Sequence, residues 1–215
     1  MAYQVTPMGK SQWAKIAVAD TKFVADGEYS IRLRLKGENA TKLQANIDKA
    51  IEQAVAKAVA DNPNKKIKKG TVPYVEVVED GKQTGELDFK FKQKKIIQTK
   101  NGQVEKKVVM FDSNNKPIVE KLLIGNGSDV KVAYNPMPYY TPTMGASVSL
   151  KLVGVQILNL VPYDNNNDSA ESLGFKKEDG YSHNNSTGGN DEEEDISFEE
   201  QKRRSRLLGQ SLRRV

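Results

Sequence analysis

Residues 146–161 read ASVSLKLVGVQILNLV. The run is apolar, rich in β-branched residues and free of charge apart from Lys151, so it reads as one long strand. Gly154, in its middle, predicts a bend or bulge of the kind a small barrel needs where a strand turns a corner. Working outward, the same β character recurs. Val130, Val132 and Tyr134 alternate with polar neighbours. Val104 to Phe111 reads as a further strand, introduced by the hairpin-turn pair Asn101-Gly102 and closed by the turn residues 112–117, DSNNKP. Leu87, Phe89 and Phe91 alternate with Asp88, Lys90 and Lys92. Tyr29, Ile31, Leu33 and Leu35 alternate with Ser30, Arg32, Arg34 and Lys36. Each period of two places apolar side chains on one face and basic ones on the other.

One segment breaks the pattern. From Glu38 to Asp61, apolar residues fall three or four apart at Leu43, Ile47, Ile51, Ala54 and Ala58, which predicts an amphipathic helix that Asn62-Pro63 ends. The loop after it, 64–70 (NKKIKKG), holds four lysines and no acid. A mainly β chain with five or six strands, one amphipathic helix and basic loops suggests an OB-fold-like antiparallel barrel. Strand count alone leaves a β-sandwich open.

After Pro162 the composition changes. Asn, Ser, Gly and Asp dominate 164–190, which buries too little apolar surface to offset the entropy of ordering it. The expected organisation is a folded core over 1–161, a disordered linker over 162–190 and an interaction tail over 191–215. The core carries 25 Lys and Arg against 16 Asp and Glu, and the remainder 8 against 12. The core is therefore basic and the C-terminal part acidic on balance, which favours a polyanionic partner for the core. With 37% hydrophobic residues and a mean hydropathy of −0.63, part of the 215-residue chain is expected not to fold.

There is no cysteine and one histidine, His183, which lies in the low-complexity stretch. That excludes a disulfide framework and a cysteine zinc site, and leaves no histidine-based catalytic pair in the core. Gly125-Asn-Gly127-Ser128 lacks P-loop spacing and reads as a tight turn. No metal, cofactor or catalytic residue is expected. Residues 1–15 hold no apolar run and nothing approaches a membrane span, so a cytoplasmic protein is expected.

Binding a single nucleic-acid strand without regard to sequence needs cations along a groove and flat faces on which bases stack. The expected cations are Arg32, Arg34 and Lys36 on one strand, Lys90, Lys92 and Lys94 on another, Lys106 beside Lys107 on a third, and Lys131 on a fourth. Arg32 and Arg34 weigh most, because a guanidinium can both stack and pair with phosphate, and an alanine at 34 is expected to weaken all sequences alike. The aromatic candidates are Tyr74, Phe111, Tyr134, Tyr139 and Tyr140. The last two lie in the Pro- and Tyr-rich stretch 134–142, where one of the adjacent pair is expected to face solvent and stack. Phe89 and Phe91 share the apolar face with Leu87 and are assigned to the core; Trp13, between polar and basic residues, fits either a stacking face or the core, with the core favoured. In the tail, the acidic run Asp191, Glu192, Glu193, Glu194 and Asp195 precedes Phe198, and Ser197 to Glu200 has the form of a helix capping box. A basic end, 201–215, follows.

The runs 111–118 (FDSNNKPI), 124–132 (IGNGSDVKV) and 145–161 (GASVSLKLVGVQILNLV) together resemble the bacteriophage replication single-stranded DNA-binding proteins with an OB-fold core. The resemblance covers 1–161. It implies sequence-tolerant binding of single-stranded DNA in phage replication, recombination and repair, in the host bacterial cytoplasm. It also implies a homodimer and an acidic tail that recruits polymerase, helicase or other replication proteins. Residues 191–200 match such a tail in composition, whereas the basic segment from Lys202 to Arg214 departs from it. A different reading is a structural or scaffold protein whose charged tail mediates protein contacts, and a third is a nuclease, which would need a carboxylate cluster.

Overall fold

The computed structural model describes residues 3–100 and 102–163. The expected tail, and the linker beyond residue 163, lie outside the described residues. Chain order runs β1 (Gln4–Val5), β2 (Gly9–Asp20), β3 (Glu28–Lys36), α1 (Gly37–Asp61), β4 (Tyr74–Glu79), β5 (Lys82–Lys94), β6 (Ile96–Thr99), β7 (Gly102–Glu105), β8 (Val109–Phe111), β9 (Pro117–Ile118), β10 (Asp129–Thr141) and β11 (Gly145–Asn159).

Five strands pair in a closed circuit: β2 with β3, β3 with β5, β5 with β11, β11 with β10, and β10 back to β2. The sheet is ring-like, with the last strand of the five inserted between the third and the fourth, and the fold is OB-fold-like. The pairings are antiparallel except at the seam, where β11 runs parallel to β5 through Leu150–Phe91 and Lys151–Lys92. It also runs parallel to β8.

The period of two decides what fills the ring. Ile31, Leu33, Phe89, Phe91, Val130, Val132, Leu150 and Leu152 point inward and are buried. The apolar stripe of α1 (Ala40, Leu43, Ile47, Ile51, Ala54 and Ala58) is buried too, and the helix packs against β3, β5, β10 and β11. Gly154 sits at the predicted irregularity: the β10–β11 register shifts beside it. A Cβ there would lie 2.9 Å from Val109 Cγ2 and 3.1 Å from its carbonyl oxygen, so the missing side chain is what lets β8 pair.

The expected strand 104–111 is instead two. β7 pairs with β6 in a hairpin of its own, while β8 joins the main sheet. Between them the Lys106 N–H donates to the Lys95 carbonyl (2.7 Å) and Val108 turns inward. Asp112 then closes β8 as an Asx turn, its Oδ1 accepting from the N–H groups of Asn114 and Lys116 at 2.8 Å each.

Candidate nucleic-acid interface

The outward face of β3 and β5 is cationic at one end and neutralised at the other, and the strand register decides which. Arg32 stands opposite Lys90, Ser30 opposite Lys92 and Glu28 opposite Lys94. Arg34, by contrast, stands opposite Asp88, and Lys36 opposite Glu86. The Arg34 guanidinium donates from Nε to Asp88 Oδ1 (2.9 Å), from one terminal nitrogen to Asp88 Oδ2 (3.2 Å) and from the other to Glu79 Oε1 (3.3 Å). Glu86 lies 3.8 Å away. The Asp88 hydrogen bond, against the opposing effect of burial, raises the guanidinium pKa above its ordinary value. Arg34 is thus committed to carboxylates that include the buried Asp88. Glu79, Glu86 and Asp88 thus gather on Arg34.

At the cationic end, two shallow depressions lie side by side and share Glu28 and Lys90. The first, about 290 Å³, is walled by Trp13, Lys15, Asp20, Phe23, Ser30 and Arg32. The second, about 720 Å³, is walled by Lys92, Lys94, Lys151, Met137, Tyr139 and Met144, with Thr71, Val72 and Pro73 at its rim. Together they form one groove across β2, β3, β5, β10 and β11. Among the described residues, no carboxylate lies within ion-pair distance of Arg32, Lys90, Lys92, Lys94 or Lys151.

Trp13 belongs to this groove and not to the core: it is 55% exposed, and the Arg32 guanidinium lies over its ring, 5.0 Å from the centroid. It gets there through a bulge. The β2–β3 register shifts between Gln12 and Lys15, and Trp13 takes a left-handed φ of 46°, a conformation that a bulky side chain keeps only when its surroundings hold it. The turn 125–128 supplies the hold. Asn126 Oδ1 accepts the Trp13 N–H at 2.7 Å. Gly127 N–H donates to the Ser11 carbonyl (2.8 Å), Ser11 N–H to the Ser128 carbonyl (2.9 Å) and Ser11 Oγ to the Gly125 carbonyl (2.8 Å). The glycines are required: a Cβ at Gly125 would sit 2.5 Å from the Pro162 carbonyl oxygen, and Gly127 has φ +86°. The segment expected to be a tight turn is one, and it also aims an aromatic ring.

The remaining expected residues divide. Arg32, Lys90, Lys92, Lys94 and Tyr139 come together in the groove. Tyr140, one residue on, falls on the opposite side of the strand by the period of two. Tyr134 is 2% exposed, its ring edge-on to Phe91 with centroids 5.2 Å apart and its hydroxyl donating to Gln4 Oε1 (2.7 Å). The structure therefore sets it inside the ring, away from any base. Tyr74 packs on Phe89 and ties α1 to β4, donating to Asp48 Oδ1 (2.7 Å). Burial raises the phenol pKa of both Tyr74 and Tyr134. Lys36, Lys106, Lys131 and Phe111 line neither depression. Phe23, 85% exposed on the loop 21–27, Lys15, Lys151, Met137 and Met144 were not legible as groove residues, because their positions depend on which strands meet.

A ring-like β-sheet whose open face carries cations and aromatic rings has the architecture by which small β-proteins hold oligonucleotides. The comparisons agree. The family described as "Single-stranded DNA-binding protein, Bacteriophage T7" matches residues 9–160, and the chain belongs to it. It is 33% identical to the single-stranded DNA-binding protein of Enterobacteria phage T3 over 153 residues, 64% of this chain and 64% of that protein. It is 30% identical to that of Escherichia phage T7 over 171 residues, 72% of this chain and 71% of that one. The T7 protein's crystal structure, gp2.5, superimposes with a TM-score of 0.65 at 26% identity, over 79% of this chain and 98% of that one. The single-stranded DNA-binding protein of bacteriophage Enc34, in complex with single-stranded DNA, shares the fold at a TM-score of 0.54 and 12% identity, over 75% of this chain and 89% of that one.

Proposed function

We propose that this protein binds single-stranded DNA along the groove, without sequence preference and without catalysis. Bases stack on Trp13, Phe23 and Tyr139, and phosphates meet Arg32, Lys90, Lys92, Lys94 and Lys151. The observation that carries the reading is the coincidence, on one face, of aromatic rings open to solvent and cations that among the described residues have no carboxylate partner, in a chain of this family. Aromatic faces accept any base, and the cations read only the backbone, so the chemistry is sequence-tolerant. The T3 and T7 relatives are named as single-stranded DNA-binding proteins, which supports the same reading.

In this role the protein coats exposed strands during phage replication, recombination and repair in the host cytoplasm. The acidic segment Asp191–Glu200, with Phe198, recruits replication proteins such as polymerase or helicase, and the protein acts as a homodimer. A salt series of oligo-dT binding by the full chain tests the central step. Releasing counterions from five phosphates gives a slope of log K against log salt of about −3.5, and Arg32→Ala or Lys92→Ala should make it shallower. Equal affinity for duplex and single strand, or a slope near zero, rejects the proposal.

A further inference from the structure

The lysine-rich loop 64–70, between α1 and β4, is not needed to close the ring, yet the fold holds it firmly at the rim of the groove. Lys69 bridges to Ala146, Gly70 N–H donates to the Ala146 carbonyl (2.8 Å), and Ala146 N–H donates to the Lys68 carbonyl (2.9 Å). Ser147 Oγ adds a hydrogen bond to the Thr71 carbonyl (2.8 Å). Two glycines make this approach possible. A Cβ on Gly145, at φ +84°, would lie 2.5 Å from the Lys68 carbonyl oxygen, and one on Gly70 would lie 2.8 Å from that of Met144. The chain leaving the loop, Thr71 to Pro73, is itself groove wall, as is Met144.

Lys65, Lys66, Lys68 and Lys69 are all exposed. Among the described residues none of the four has an ion-pair partner. A basic run in a solvated loop is ordinary. This one is fastened by backbone hydrogen bonds to the segment 144–147, whose Met144 walls the second depression together with Tyr139, whereas Trp13 and Phe23 wall only the first.

From this we infer that the loop 64–70 extends the binding path: a clamp of lysines that takes the phosphates of the nucleotides beyond the aromatic face and lengthens the bound segment. The inference rests on the groove being the single-strand site. It assigns the loop a sequence-blind, purely electrostatic part, since it carries no aromatic side chain.

The test uses the full chain, labelled oligo-dT of graded length from about 4 to about 16 nucleotides, the range of site sizes for such folds, and a salt series at each length. A variant carrying Lys65→Gln, Lys66→Gln, Lys68→Gln and Lys69→Gln should match the wild type on the shortest oligonucleotides. On the longest, its log K against log salt slope should be shallower by about 1.4 to 2.8, the change expected when two to four phosphates are no longer neutralised. The gain of affinity with length should also stop sooner. The quadruple Lys→Arg variant should restore both. An unchanged slope on long oligonucleotides against normal wild-type binding overturns the inference alone. Failure of the arginine variant to restore binding overturns it as well, because charge is then not what matters. So does tighter binding by the glutamine variant, which would assign the loop to the chain's own acidic run 191–195. A wild type that ignores oligo-dT at every salt sinks the groove reading together with its extension.

Discussion

Arg32 and Arg34 sit two residues apart on one strand face and have different fates, because of what β5 sets opposite each. Removing Arg34 leaves Asp88, 4% exposed, without its cation and next to Glu79 and Glu86. Arg34→Ala should therefore destabilise the fold by about 1–3 kcal/mol, read as a lower midpoint in urea. Arg32→Ala should leave that midpoint near the wild type and weaken oligo-dT binding instead. Equal effects of the two on stability would contradict this division. A sequence offers no way to tell them apart: both arginines alternate with leucine in the same stripe, and only the strand pairing assigns one to a tryptophan and the other to carboxylates. Trp13 was unreadable for a similar reason. Between glutamine and alanine, with lysines nearby, nothing local marks a residue whose backbone is held at positive φ by Asn126, more than a hundred positions on. Asn126→Ala removes the acceptor for the Trp13 N–H. It should increase the mobility of the Trp13 ring in fluorescence anisotropy, whereas Asn126→Asp, which keeps an acceptor oxygen, should not. Tyr134 adds a dependence on pH. Burial raises its phenol pKa above the ordinary value of about 10. The neutral form is thus favoured by folding, and the associated stability is complete below about pH 10 and is lost as pH rises through the raised folded pKa. Tyr134→Phe should blunt the alkaline loss of stability, measured relative to its own stability at neutral pH.

At the scale of elements, the strands and helix were readable where one periodicity ran uninterrupted. The helix stripe from Leu43 to Ala58 is buried at every expected position, and Phe89 and Phe91 are wholly buried. Legibility failed where pairing overrides local pattern. Residues 104–111 are continuous in β propensity, but β7 and β8 belong to different sheets, and β8 finds its parallel partner, β11, far off in the chain. The parallel seam between β5 and β11 is likewise a long-range fact. Gly154 was the one local sign of irregularity in β11, and its role is testable. Gly154→Val would drive a side chain into Val109, and overpacking of this kind costs about 1–3 kcal/mol. The expected result is a lower melting temperature with faster amide exchange at Val109–Phe111, while α1 keeps its protection. Protection lost uniformly across the chain would mean that β8 is not a separable piece of the sheet.

For the molecule as a whole, charge and aromatic placement serve one surface. Among the described residues, the cations of the groove and of the adjoining lysine loop have no carboxylate partner, whereas Arg34 is held by Asp88, Glu79 and Glu86. The basic balance was visible in composition, but which cations of the β3–β5 face stand together and which meet carboxylates depended on the register of β3 against β5. Because the chain has a single tryptophan and that residue stands in the groove against Arg32, the protein carries its own reporter. The most direct measurement follows the emission of Trp13 in the full chain as oligo-dT is added at low salt, repeated with duplex DNA and again at high salt. Saturable quenching by oligo-dT, much weaker with duplex and reversed by salt, is the predicted result. Emission unmoved by oligo-dT while binding is detected by another probe would place the DNA elsewhere on the molecule and contradict the account.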